Sequence, residues 1–265
     1  MALNARQTRQ LRALLRRLSA AHAISSVPGG AGKALEAWAF MTLLDGARQK
    51  PNWQVSLRQG DGSPLPHGSP FLFSGGPASL SHAIGDSCFA RLHRSGGTPR
   101  TLELHHGLQH MGRSDARHEW DIALLPEEVP QHIRAGNGGY PRGLPFLGIE
   151  CKDKAKSGDS DEMRQTLARM FDLAHVSQLR TPVTNRIMDE HGTIGVGKRW
   201  PTYIQNFSNG VFGILRMGGF QRGAREMSDH YVISRFGQIT PSALATRQAL
   251  HSSISRVLDR IDELY

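Results

Sequence analysis

His118-Glu119-Trp120-Asp121-Ile122-Ala123-Leu124-Leu125 and Phe146-Leu147-Gly148-Ile149-Glu150-Cys151-Lys152 are the stretches whose reading decides the fold. Both are apolar enough to be core strands, yet both carry charge. A carboxylate in or at the end of such a strand is costly unless a partner or a metal compensates it. Side chains alternate along a strand, so Glu150 and Lys152 share a face and Cys151 points to the other. If the two strands pair, Asp121 and Glu150 converge. Two carboxylates and the Cys151 backbone carbonyl then make a hard oxygen site suited to Mg²⁺ or Mn²⁺. Lys152 beside it is placed to orient or deprotonate a water, or to stabilise charge on a phosphate.

Upstream, residues 27–32 read as a loop, and residues 33–44 (KALEAWAFMTLL) as a helix. That helix is apolar almost all round, which predicts burial, and Glu36 sits inside it. Strand candidates follow at 70–73, 87–93, 101–106, 119–125 and 146–152, with Gly/Pro/Ser-rich loops at 59–70 and 74–79. Residues 126–145 form a Gly/Pro-rich connection with Gly136-Asn137-Gly138-Gly139-Tyr140-Pro141 at its tip. Residues 159–179 read as an amphipathic helix carrying Met163, Leu167, Met170, Phe171 and Ala174 at helical spacing. Later strand candidates are 202–207, 211–217 and 230–236. Residues 241–264 predict a long helix capped by Thr240-Pro241. Mixed helices and strands without strict alternation indicate α/β or α+β, and no internal repeat is present.

This order of features resembles the PD-(D/E)XK nuclease superfamily, the restriction-endonuclease-like fold. Its motif is an Asp on one strand and Glu-x-Lys on the next, here Asp121 and Glu150-Cys151-Lys152. Many members add a Glu on the helix before the sheet, a place that Glu36 fits. The resemblance covers residues 30–180 and implies an α/β fold: a mixed central sheet flanked by helices (αβββαβ). Around a core of about 30–240 it would leave a basic helical extension at 1–29 and a C-terminal helix at 241–265, all as one domain.

The resemblance further implies that Asp121, Glu150, the Cys151 carbonyl and Glu36 hold Mg²⁺ or Mn²⁺. Lys152 would serve the nucleophilic water. The helix after the motif often adds a polar residue, for which Gln165 is the match and Arg164 and Arg169 are substitutes. The implied activity is hydrolysis of DNA phosphodiester bonds, by an endonuclease of restriction, defence or repair type. A non-cleaving nucleic-acid-binding module and a partner-activated nuclease subunit are the alternatives, and a homodimer or a larger nuclease complex is allowed. Two departures stand out. Trp120, not Pro, precedes Asp121, and the Asp-to-Glu gap requires an insertion over 126–145.

Composition agrees with a polyanionic partner. The net charge is +9 in 265 residues, which favours nucleic acid; the resemblance implies DNA ahead of RNA. The surplus is concentrated early: residues 4–22 read as a basic helix with Leu11, Leu14, Leu15 and Leu18 on one stripe. No run of about 18 apolar residues exists, so no membrane span is expected. Two cysteines, Cys88 and Cys151, make neither a disulfide framework nor a zinc cage, and with no apolar leader a cytoplasmic location is expected.

Two rival sites carry less. His105, His106, His110 and His118 cluster before Asp121, but their spacing fits no common zinc motif, and they read as a groove lining or a solvated strand. Gly29-Gly30-Ala31-Gly32-Lys33 lacks the Ser or Thr of a phosphate-binding loop, since Ala34 stands there.

Overall fold

The structure is a computed structural model that describes residues 31–96, 99–174, 210–239 and 244–264, with residues 9, 12–14, 16, 23 and 24. Helix α1, Ala31–Arg48, organises it. Ala, Leu, Met and Glu dominate this segment and favour helix intrinsically. Its β-branched Thr42 is accommodated by donating its hydroxyl to the Trp38 carbonyl at 2.7 Å. Residues 34–47 are buried on every side, as an all-round apolar helix requires.

Nine strands and five helices are described: β1 (Ala23–Ile24), α1, β2 (Trp53–Arg58), β3 (Pro70–Phe71), β4 (Phe89–Arg94), β5 (Arg100–Met111), β6 (Arg117–Pro126), α2 (Glu128–Ala135), β7 (Leu147–Lys152), α3 (Ser160–Leu173), β8 (Val211–Arg216), α4 (Arg222–Tyr231), β9 (Ser234–Phe236) and α5 (Leu244–Leu264). Seven strands form one mixed sheet in the order β2-β4-β5-β6-β7-β8-β9. Pairing is antiparallel from β2 to β7, and parallel from β7 through β8 to β9. The fold is therefore α/β with a mixed sheet, as the sequence predicts.

The sheet is covered on both faces. Ile122, Leu124, Leu147, Ile149, Val211 and Leu215 pack with α1 and with Leu250, Ile254, Val257, Leu258 and Ile261 of α5. Ala123, Leu125, Phe212 and Ile214 pack with Val129 and Ile133 of α2, Met163 and Met170 of α3, and Ala224 of α4. The strands thus read as near-continuous apolar runs, which two-sided burial demands.

Several expectations needed correction. α1 runs to Arg48, beyond the predicted end. β5 extends to Met111 because His105, His106 and His110, which look polar in sequence, are buried here. β2 was missed as a strand, although Trp53, Val55 and Leu57 alternate with polar residues. The 126–145 insertion contains α2, and residues 230–236 are the end of α4, a turn at Val232 (φ 56) and β9. Within the expected 1–29 helical extension, Ala23–Ile24 is a strand paired with Pro70–Phe71. Residues 12–14 are helical, with Leu14 buried and Arg12 exposed. The rest of the 4–22 helix, residues 25–30, residues 175–179, the 202–207 strand and the Thr240-Pro241 cap lie outside the described residues. Among those described, no helix is long and apolar enough to cross a membrane.

Candidate active site

β6 and β7 pair only over Ile122↔Ile149, Ala123↔Gly148 and Leu124↔Leu147. Beyond Ile122 the ladder is replaced by a side chain: the Asp121 carboxylate (Oδ2) accepts the Cys151 amide N–H at 2.5 Å. Strand alternation also slips at this point. Trp120 and Ala123, three positions apart, lie in the same apolar core, whereas an unbroken strand would send them to opposite faces. Across from Asp121, Gly107 takes φ +61. A Cβ there would come within 3.2 Å of the Gly76 carbonyl, so a larger residue is doubly disfavoured. This splay brings Asp121 beside Glu150 instead of locking both into a regular ladder.

The opening is a carboxylate cluster. Glu36 from α1, Glu119 and Asp121 from β6, and Glu150 from β7 act electrostatically on one another. Burial first, and then the Glu150 and Glu36 charges, push the Asp121 pKa up to about 8. Burial raises Glu36 to about 7 against the help of Lys33, whose Nζ lies 2.6 Å from Glu36 Oε2. Burial raises Glu119 as well, with Lys33 opposing from 3.6 Å. Glu150 behaves oppositely: burial would raise it, but Arg169 and then Lys152 more than offset burial and hold it below the ordinary carboxylate range. Lys152 Nζ bonds Glu150 Oε1, and Arg169 Nη1 bonds Glu150 Oε2.

Three of the expected carboxylates, Glu36, Asp121 and Glu150, therefore lie within electrostatic reach of one another, and Lys152 bonds Glu150. Cys151 adjoins them through its backbone, and burial raises its thiol well above the ordinary range, which makes it an unreactive side chain. Gln165 does not join them: it is exposed on α3, and one turn later Arg169 is the residue that reaches Glu150. Arg169 also lies 4.9 Å above the Trp120 ring, and Trp120 in turn lies across Gly148, where a Cβ would meet the ring at 2.8 Å. The residue standing where the family has Pro thus props the cation on Glu150. Sequence reasoning missed Lys33 and Glu119. Their signals were spacing: Glu119 is two strand positions from Asp121, and Lys33 one helical turn from Glu36.

The histidines are not ligands. Burial lowers His106 and His110 to about 3, and they bond the Cys88 and Gly143 carbonyl oxygens. His105 stacks on Phe89 and bonds Glu103, and His118 bonds Asp172. His105, His106 and His110 are buried and so neither line a groove nor lie on a solvated strand, whereas His118 is half-buried.

Among the described residues, no three His, Cys, Asp or Glu side chains are arranged together as a metal-holding group. Lys152, Arg169 and Lys33 take up oxygens of Glu150 and Glu36. The donor chemistry nevertheless fits a hard divalent cation. The candidate donors are the Glu36, Glu119, Asp121 and Glu150 carboxylates and the Cys151 carbonyl, and a bound cation would relieve the repulsion that, after burial, holds Asp121 and Glu36 protonated near neutrality. Comparison with family models, curated proteins and solved structures finds no match to this chain.

Proposed function

We propose that this chain is a divalent-metal-dependent nuclease that hydrolyses DNA phosphodiester bonds, with a restriction-endonuclease-like core. The observation that carries it is that the Asp121 carboxyl bonds the Cys151 amide, next to a Glu150 held by Lys152, with Glu36 and Glu150 within electrostatic reach of Asp121. The connectivity supports it too: β5, β6 and β7 run antiparallel, α3 follows, and β8 returns parallel to β7. The αβββαβ order which the resemblance implies can be traced through these elements, with β2, β3 and β4 added before β5 and α2 inserted between β6 and β7.

Asp121, Glu150, Glu36 and the Cys151 carbonyl would hold Mg²⁺ or Mn²⁺, with Glu119 as a further oxygen donor. Bound there, the metal supplies a water of lowered pKa and positive charge for the phosphate oxygens. The chain's own residues do the rest. Lys152, hydrogen-bonded to Glu150, can hold a water by its ammonium and neutralise charge developing on phosphorus-bound oxygen. Asp121, kept protonated near neutrality by burial and then by the Glu150 and Glu36 charges, would be a ligand only in its ionised form, so metal binding there would release its proton. Arg169, anchored on Trp120, keeps Glu150 ionised and is positioned to exchange that carboxylate for a phosphate oxygen.

The experiment is cleavage of linear, circular and single-stranded DNA and of RNA, with Mg²⁺ or Mn²⁺, by the native chain and by Asp121→Ala and Lys152→Ala. Metal-dependent cleavage lost in both variants supports the reading; equal cleavage by all three proteins rejects it. A second reading is a nuclease subunit completed by a partner. It is favoured by Lys152 and Arg169 occupying both oxygens of Glu150. It expects DNA binding without cleavage by the chain alone. Function as a DNA-cutting homodimer belongs to the first reading and is tested by the oligomeric state of the active species.

A further inference from the structure

The β5–β6 turn and the end of α3 form a platform unused by the carboxylate cluster. Arg113 lies over the Phe171 ring at 5.0 Å, and Arg117 over the Tyr140 ring at 4.4 Å. Both arginines are exposed, and Phe171 is 54% exposed, unusual for a large apolar residue at a helix end. The platform is rigid. Asp172 accepts hydrogen bonds from the Ser114 amide at 3.1 Å and the Ser114 hydroxyl at 2.6 Å, and it pairs with His118 at 2.7 Å. The Arg113 amide N–H and guanidinium donate to the Asp172 and Phe171 carbonyls, fastening the turn to the helix.

The local charge is positive. Asp115 is paired with Arg142, and Asp172 is held by Ser114 and His118. Neither Arg113 nor Arg117 has an acidic partner among the described residues. Arg117 stands four strand positions before Asp121, about 13 Å along β6 at the rise of a strand. The platform therefore opens beside the cluster at the distance of a few nucleotides.

We propose that this platform binds single-stranded DNA, holding a strand, or the unpaired end of one, that leads to the carboxylates. A guanidinium over a ring offers its outer plane to a base and its N–H edge to a phosphate, and Phe171 offers a ring. Base faces are accessible only where the stack is open, so the surface selects single strands over an intact duplex. The relation to cleavage rests on the nuclease reading; the binding does not.

The test is binding in EDTA of a fluorescein-labelled single strand and of its blunt duplex, by fluorescence anisotropy, to the native chain, Phe171→Ala and Arg117→Lys. Both substitutions keep the charge and remove stacking surface, and both positions are exposed, so unchanged thermal unfolding verifies the fold. Single-strand affinity is expected to fall roughly 5- to 100-fold in each, the range of one lost base stack, with duplex affinity nearly unchanged. An equal fall for strand and duplex, or no fall in either, overturns the proposal. Metal-dependent cleavage with unaltered strand binding in the variants rejects the platform alone. Platform-dependent strand binding without any cleavage rejects the reading of a nuclease active on its own and leaves the platform standing.

Discussion

Asp121 is the residue on which the site turns. Its carboxyl is buried, touches the Cys151 amide, and faces Glu150 and Glu36, so it keeps its proton to about pH 8. The unfolded chain loses that proton near pH 3.9. Between these values the folded state binds more protons than the unfolded one, so stability falls as pH rises. Glu36, raised to about 7, adds in the same direction. The melting midpoint in EDTA should therefore drop from about pH 7.5 to about pH 8.5, a window above the titration of unfolded histidine in which His106 and His110 are essentially neutral in both states. Asp121→Asn should flatten that slope, and an unchanged slope in the variant would contradict the assignment. If the cluster holds Mg²⁺, added Mg²⁺ should raise the midpoint more at pH 8 than at pH 6, because binding needs ionised carboxylates. Lys152→Ala should cut kcat by about 100-fold or more while leaving the fold intact, comparable to loss of one preorganised charge-stabilising donor in other hydrolases.

Helix α1 and strand β7 position the cluster through close approach to their neighbours. Gly46 lies against α5, where a Cβ would sit 2.9 Å from the His251 Cα and from Ile254. Gly46→Ala must push the two helices apart, and a loss of about 1–3 kcal/mol in urea unfolding is expected. An exposed helical glycine would give the opposite sign, since alanine is the better helix former. Gly148→Ala should act differently. It displaces the Trp120 ring, and with it Arg169, so activity should fall by more than the change in stability explains. Assaying cleavage under conditions where the variant is fully folded separates the two effects. The insertion between β6 and β7 is secured by Arg134 of α2, which reaches the buried Glu103 of β5.

At the scale of the molecule, charge and burial set the behaviour. If the chain binds DNA as proposed, its net charge of +9 implies that binding is driven in good part by phosphate contacts. The logarithm of affinity should fall linearly with the logarithm of salt concentration, with a slope of about −0.9 per phosphate neutralised. Anisotropy across a salt series checks this, and a flat response would contradict an electrostatic interface. The buried histidines set the acid limit. His106 and His110 must gain protons on unfolding below about pH 6.5 and resist them in the fold to about 3. Their contribution is complete above the unfolded value and is lost as pH falls, the reverse of Asp121. Stability should therefore decline on both sides of a mildly acidic maximum.

The sequence by itself determined the elements that carry chemistry. Apolar strands bearing Asp121 and Glu150, an all-round apolar helix bearing Glu36, and alternation placing Lys152 beside Glu150 are local patterns, and local sterics and burial enforce them. Tertiary structure decided the rest. The Asp121 carboxyl bonds the Cys151 amide of a neighbouring strand, Arg169 from α3, packed over Trp120, reaches Glu150 where Gln165 does not, and the β5 histidines are buried because β5 lies in the middle of the sheet. Each of these depends on a neighbour distant in sequence, and periodicity along the chain holds no information about which side chain will face another across a packed interface.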